Sequence, residues 1–190
     1  MKKIVVFCGS SLGFNPIYKN AAIELGNYFV NNDITLVYGG GKIGMMGVLS
    51  ETILKKGGNV IGIIPSLLKK EEVVNKNVTE LIITKTMSER KVMMSKLVDG
   101  YISLPGGFGT LDELFEAITL IQTNKIGRFP IVLVGRKFWG GLMEWIKNTL
   151  LEEGNISEKD LKLFRVVDTA DEAIDHLNKF YAKYQLKPNF

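Results

Sequence analysis

Three glycines and a carboxylate follow closely after an apolar run, in the sequence Leu-Pro-Gly-Gly-Phe-Gly-Thr-Leu-Asp-Glu at residues 104–113. Glycine lets the backbone approach a ligand closely and turn its N–H groups inward, and a helix beginning at Thr110 adds partial positive charge. The pattern predicts a phosphate-binding turn over residues 105–110, here named the phosphate turn, with the Glu113 carboxylate beside it. Thr110 and Glu113 also have the spacing of a capping box, but capping does not explain the three glycines.

Two further turns rich in small residues follow predicted strands: Cys-Gly-Ser-Ser at residues 8–11 and Gly-Gly-Gly-Lys-Ile-Gly at residues 39–44. The second turn matches G-x-G-x-x-G formally, but a dinucleotide fingerprint follows the first strand of the fold, and this turn follows the second. It also fails as a Walker A loop, because Ile43 stands where Ser or Thr would be needed. The residues of these turns expected at a ligand are Gly9, Ser10, Gly39 and Gly40.

Two adjacent cations, Arg90 and Lys91, lie near the start of the helix that precedes the strand leading to the phosphate turn. Ser88 is the predicted N-cap, which places both cations in the first turn, against the helix dipole. That placement is favourable if the two side chains face a bound anion. The alternative is that both are solvated surface residues. Met87 is also expected to lie at the ligand.

Short β-rich runs alternate with longer helical patterns along the whole chain. The predicted strands are 4–8, 34–38, 60–64, 81–84, 101–104, 131–134 and 164–167. The predicted helices are 18–30, 45–56, 88–98, 110–122, 138–151 and a last one from 171. This order predicts a single-domain, Rossmann-like α/β fold, an open parallel sheet of about seven strands with helices on both faces. Residues 65–79 have no clear period and are expected to form either a flap over the site or an ordinary solvated loop, and residues 183–190 a frayed tail.

Composition limits the classes of function. The chain has 190 residues and a net charge of +4 without a basic run, which does not indicate nucleic-acid binding. One cysteine, Cys8, and one histidine, His176, exclude an intrachain disulfide and a Cys/His zinc site. Because His176 lies in the last helix, a Ser-His-Asp mechanism using Ser10 or Ser11 has little support. The apolar run at 4–8 is too short for a secretion signal, so a cytoplasmic protein without membrane contact is expected.

The motifs taken together resemble the Lonely Guy (LOG) family of cytokinin riboside 5'-monophosphate phosphoribohydrolases, many of whose bacterial members were once labelled lysine decarboxylases. The family signature P-G-G-x-G-T-x-x-E is matched over residues 105–113. The resemblance includes both other turns, the Arg90–Lys91 pair and Thr119, and it extends over most of the chain.

The resemblance implies that Arg90 and Glu113 are the catalytic pair of a nucleoside monophosphate hydrolase that uses no metal and no organic cofactor. The other residues that it places at the nucleotide are Met87, Lys91, Gly106, Gly107, Phe108, Gly109, Thr110 and Thr119. Glu72 is the counterpart of an upstream acidic residue in relatives. Plant members usually carry His and Tyr where this chain has Ser88 and Phe108, which implies a different choice of base. A homodimer with active sites near the subunit interface is also implied.

Three alternatives to a cytokinin-releasing hydrolase stay open at this point. The same site could hydrolyse AMP with its unsubstituted base, or it could bind a nucleotide as a sensor without turnover. A decarboxylase would need a lysine that forms a Schiff base with pyridoxal phosphate, and no motif identifies one. Glu113 distinguishes an enzyme from a sensor, because a binding protein gains nothing from a carboxylate near a phosphate.

Overall fold

The strands predicted from the sequence form one parallel sheet in the structure, a computed structural model that describes residues 3–68 and 73–183. The strands are β1 (Lys3–Phe7), β2 (Thr35–Tyr38), β3 (Val60–Pro65), β4 (Glu80–Thr84), β5 (Gly100–Ser103), β6 (Ile131–Val134) and β7 (Phe164–Val167). Their order across the sheet is β4-β3-β2-β1-β5-β6-β7. Val5 of β1 pairs with Val37 on one side and with Tyr101 on the other. The strand order therefore reverses between β1 and β5, where open α/β sheets bind their ligands.

The helices cover both faces of this sheet, as predicted. They are α1 (Pro16–Asn31), α2 (Gly44–Leu54), α3 (Met87–Leu97), α4 (Phe108–Gln122), α5 (Arg136–Trp145) and α6 (Ala170–Lys183). Residues of α1, α2 and α6 share one buried cluster, whereas α3, α4 and α5 contribute to the cluster on the opposite face. Residues Ile146–Leu151 continue α5 as a π-helical segment. Because β1 is buried on both faces, its sequence is apolar throughout after Lys3.

The α3 helix begins earlier than the sequence predicted. Its N-cap is Thr86, whose hydroxyl accepts a hydrogen bond of 3.1 Å from Glu89 N, and the Glu89 carboxylate accepts one of 2.8 Å from Lys85 N. The prediction that Ser88 caps this helix is therefore wrong. Thr86 is the cap because the Thr-x-x-Glu spacing lets the Thr86 hydroxyl and the Glu89 carboxylate satisfy two backbone donors at the helix start.

The segment after β3 is fixed to the second glycine-rich turn. Residues Ser66–Leu68 form one 3₁₀ turn, and Val74 makes an antiparallel bridge to Gly41. Asn75 N donates to Gly40 O at 2.8 Å, and the Asn75 side chain is buried. For Val74 and Asn75, the expectation of an ordinary solvated loop is thus wrong, because the turn supplies backbone partners.

Glu72 lies outside the described residues, as does the predicted tail beyond Lys183, which itself ends α6. Within the part of the chain that the structure describes, no helix combines the length and the apolar character needed to cross a bilayer.

Candidate active site

The three turns predicted to share a site meet at the carboxyl ends of β1, β2 and β5. Gly9 N donates to Pro105 O at 3.1 Å, which joins the turn after β1 to the phosphate turn. Met45 N donates to Gly9 O at 3.1 Å, which joins the turn after β1 to the start of α2. These bonds fix the three turns as one surface. The prediction of a shared edge is confirmed, since neighbouring parallel strands end on the same side of the sheet.

The phosphate turn ends at the N-terminus of α4, and no side chain caps that terminus. The N-cap is Gly107, in an extended conformation, and the first turn of α4 holds no acidic residue. A Cβ atom on Gly106 would lie 2.1 Å from Thr110 Oγ1, so only glycine lets the turn fold this closely onto the helix. The N–H groups of the first turn have no acceptor within the helix and are suited to a phosphate.

The capping-box interpretation of Thr110 and Glu113 is wrong. Because α4 begins at Phe108, Thr110 is inside the first turn and buried, and Glu113 lies one turn further along. The true N-cap is a glycine, which offers no side-chain oxygen to the helix. Glu113 is therefore available for another partner.

That partner is Arg90, whose Nη2 lies 3.1 Å from Glu113 Oε1, with each side chain only 10% exposed. Arg90 Nε also donates to Ile63 O of β3 at 3.0 Å, and Nη1 lies 3.9 Å from Met87 Sδ. Gly39 leaves room for the guanidinium, because a Cβ atom there would lie 2.4 Å from Nη2. Hence Arg90 is not a solvated surface residue, and β2, β3, α3 and α4 together hold the pair.

Opposing influences act on the Glu113 carboxyl. Burial raises its pKa, and the positive charges of Arg90 and Lys91 work against that rise, whereas Asp112 and Glu116 add to it. A carboxyl whose pKa is moved by burial and by a specific charged partner is typical of catalytic sites. The pair can thus present a negative charge in a place that excludes most water.

Lys91 is held by two carboxylates that the sequence analysis did not identify. Its Nζ lies 3.1 Å from Asp112 Oδ2 and also contacts the Glu116 carboxylate. Although burial acts to lower it, the pKa of Lys91 is raised by hydrogen bonds to Glu116 and Asp112. The four-residue spacing of Asp112 and Glu116 puts both on one face of α4, which is the signal that could have found them. Lys91 therefore connects α3 to α4 beside the Arg90–Glu113 pair.

The remaining predicted residues divide by exposure. Phe108 is 92% exposed and Met87 is 36% exposed, so both can contact a ligand. Thr119 is exposed on α4, where its hydroxyl donates to Phe115 O at 2.7 Å. Among residues 3–68 and 73–183, no three His, Cys, Asp or Glu side chains come together in a way that could hold a metal ion.

Together, the fold and the site define an α/β protein in which an uncapped helix N-terminus lies next to a buried arginine–carboxylate pair. Residues 46–177 match the model of the family described as "Possible lysine decarboxylase". The chain is 40% identical over 185 residues to cytokinin riboside 5'-monophosphate phosphoribohydrolase LOG1 of Arabidopsis thaliana, covering 97% of this chain and 86% of the relative. It is 38% identical over 186 residues to the phosphoribohydrolase LOG of Oryza sativa subsp. japonica, covering 97% and 76%. The chain therefore belongs to the Lonely Guy family, which confirms the resemblance seen in its motifs.

Solved structures show the same fold at lower identity. A molybdenum cofactor binding protein from Rippkaea orientalis superimposes with a TM-score of 0.71 at 21% identity, covering 95% of this chain and 98% of that one. The molybdenum cofactor carrier protein of Chlamydomonas reinhardtii gives 0.69 at 21% identity, covering 96% and 99%. At this identity, the likeness concerns the fold alone.

Proposed function

We propose that the protein is an N-glycosyl hydrolase that releases the base from N6-substituted adenosine 5'-monophosphates and leaves ribose 5-phosphate. The names of its relatives support this activity. The single observation that carries the proposal is the buried contact between Arg90 and Glu113, 3.1 Å long, beside the uncapped start of α4. We assign the substrate site to the residues predicted from the sequence. We also propose that residues 1–190 form one hydrolase domain.

The reaction breaks the bond between ribose C1' and the base nitrogen. As the base leaves with the bonding electrons, positive charge develops on the ribose, and a carboxylate beneath the ring stabilises it or deprotonates the attacking water. Glu113 performs this role. The water oxygen bonds to C1', and one of the two water protons stays on the new hydroxyl. The other proton reaches the departing base through solvent.

Arg90 contributes in two ways. Burial raises the pKa of Glu113, and the positive charge of Arg90 opposes that rise and so favours the ionised carboxylate. Its guanidinium has five N–H donors, of which Nε is bonded to Ile63 O and Nη2 to Glu113, so further donors can bind a phosphate or ribose oxygen. The N–H groups at the start of α4 hold the 5'-phosphate.

The charge state of Lys91 argues against a decarboxylase. A lysine that forms a Schiff base must lose its proton, which burial or a neighbouring cation favours. Lys91 instead has a raised pKa and contacts both Asp112 and Glu116. In the proposed hydrolase, the Lys91 ammonium adds positive charge at the nucleotide site. Its contacts with Asp112 and Glu116 also join α3 to α4.

The base is proposed to lie over the exposed apolar side chains of Met87 and Phe108. Phe108 stands 92% exposed at the start of α4, and Met87 contacts the Arg90 guanidinium through its sulfur. An apolar N6 substituent would cover these side chains and remove apolar area from water. Unsubstituted AMP would leave more of that area exposed, which favours the substituted nucleotide over AMP as the preferred substrate.

A homodimer is proposed as the working form in the cytoplasm, with the sites near the interface. Ile121 of α4 belongs to the core and is buried within its own subunit, so it does not contribute to a partner surface. Val92 of α3, next to Lys91 in the sequence, has an exposed apolar side chain that supports a partner surface beside the site. Light scattering at micromolar concentration should report about two subunits, the commonest closed assembly. A monomer with full activity would refute this part of the proposal.

The function is tested by measuring free base and ribose 5-phosphate released from AMP and from N6-isopentenyl-AMP. Release from either nucleotide by the natural protein, and its loss in Glu113→Gln, supports the hydrolase. Faster release from AMP would identify an AMP nucleosidase. Tight binding of both nucleotides without release would identify the sensor.

A further inference from the structure

A small cavity borders Glu113 inside the layer between the sheet and the helices α3 and α4. Its volume is about 10 Å³, close to the space that one buried water molecule needs. Five of its lining residues carry a polar group and three are apolar: Lys91, Ser95, Tyr101, Glu113 and Glu116, with Phe7, Ala117 and Leu120. Since buried waters occupy cavities that offer two to four polar partners, this cavity has the composition of a water site.

The Tyr101 hydroxyl needs a partner that this cavity can supply. Tyr101 is only 1% exposed, and its hydroxyl has no hydrogen-bond partner of regular geometry in the protein. Burial raises the pKa of Tyr101 to about 12, a hydrogen-bonding contact with the Ser95 side chain acts to lower it, and the negative charge of Glu116 adds to the rise. The phenol therefore keeps its proton at neutral pH and can donate it. A buried donor without an acceptor is unfavourable, so such groups are nearly always satisfied by protein or by water.

We propose that one water molecule bound in this cavity connects the Tyr101 hydroxyl to the Glu113 carboxylate, which makes Tyr101 a positioning residue for the catalytic carboxylate. The phenol donates to the water, and the water donates to the carboxylate. A hydrogen bond donated to a carboxylate favours its charged form. Tyr101 thus helps to keep Glu113 ionised and oriented without touching the substrate.

Several other charged or titratable groups face Glu113, and the proposed water acts in addition to them. Arg90 and Lys91 of α3 favour the ionised carboxyl, whereas Asp112 and Glu116 on α4 oppose it. The Cys8 thiol at the end of β1 is buried with its pKa raised, so it is neutral and adds no charge. None of these groups changes when the Tyr101 hydroxyl is removed. Tyr101→Phe should therefore raise the pKa of Glu113.

A matched control exists on the other face of the sheet. Tyr38 is also fully buried, and its hydroxyl also has no hydrogen-bond partner of regular geometry. It belongs to the opposite core cluster, whereas Tyr101 lies in the cluster that includes α4. Tyr38→Phe removes the same chemical group without removing a wall of the cavity. It should leave the pKa of Glu113 unchanged.

The decisive measurement is a carboxyl carbon-13 NMR titration of the full chain, with the Glu113 signal assigned by its loss in Glu113→Gln. We expect Tyr101→Phe to raise the pKa of Glu113 by roughly half to one pH unit, the effect of losing one hydrogen bond. Ser95→Val, which fills the cavity with methyl groups, should raise it in the same direction. An unchanged pKa in folded Tyr101→Phe, or in Ser95→Val if the first variant does not fold, overturns the proposal.

The kinetic readout rests on the proposed function, but the titration does not. If Glu113 acts as a carboxylate, the acidic limb of the kcat profile in Tyr101→Phe should move to higher pH by the same amount, with KM less affected. A shifted NMR pKa in a protein that releases no base would support the water site and refute the hydrolase. A normal NMR pKa with active enzyme would refute the water site alone.

Discussion

The substitution Gly39→Ala tests the Arg90–Glu113 pair without changing either residue. An alanine Cβ at this position would lie 2.4 Å from Arg90 Nη2 and 3.1 Å from Met46 Sδ. Ordinary van der Waals contact begins at 3.4 Å, so Nη2 has to move by about 1.0 Å, the difference between the two distances. Met46 can rotate away because its side chain is flexible. The guanidinium has less freedom, since its Nε is bonded to Ile63 O.

The magnitude follows from the contact that is lost. A hydrogen bond that involves a charged group contributes about 1.5 to 3 kcal/mol, which corresponds to a decrease in kcat/KM of roughly 10- to 150-fold. The displaced guanidinium also opposes the rise in the Glu113 pKa less than the guanidinium in its original position does. Because burial alone raises that pKa, the acidic limb of the kcat profile should move to higher pH, and activity should be lost earlier as the pH falls.

The assay is release of free base and ribose 5-phosphate across a pH series, with thermal unfolding measured on the same samples. Gly41→Ala is the matched control, because a Cβ atom there would meet only the Met46 side chain, at 3.1 Å or more. That variant should keep its activity within a few-fold and its pH profile unchanged. Wild-type turnover and an unmoved acidic limb in folded Gly39→Ala would show that the pair does not support the reaction.

Three further outcomes are expected. Glu113→Gln should lower kcat by about a hundredfold or more, and it should also lower the melting temperature because the buried Arg90 charge loses its partner; near-normal base release would favour the sensor. Adenosine should have a kcat/KM lower than that of AMP by orders of magnitude, because it loses several charge-assisted hydrogen bonds; comparable values would place the phosphate in solvent. Thr86→Ala should reduce the free energy of unfolding by about 1 kcal/mol in urea denaturation, whereas Ser88→Ala should not, since Thr86 is the observed cap; equal effects would contradict that assignment.

The sequence predicted the sheet and the phosphate turn well, because both depend on local signals. Apolar runs set the strands, and the glycines at 106, 107 and 109 marked the turn. It misplaced the cap of α3, although the Thr-x-x-Glu spacing of Thr86 and Glu89, which Ser88 lacks, was a local signal for the observed cap. It missed the contacts of Lys91 with Asp112 and Glu116, which depend on how two helices face each other.

The residues expected to select the base, Met87, Ser88 and Phe108, are exposed, whereas Arg90 takes its position from a carbonyl of the buried strand β3. Exchanging these exposed side chains removes little packing, and the bond from Arg90 Nε to Ile63 O still holds the arginine when the Met87 sulfur contact is lost. The side chains proposed to recognise the base can therefore vary without changing those proposed to carry out the reaction. A library restricted to these three positions should therefore alter the substrate range while preserving turnover.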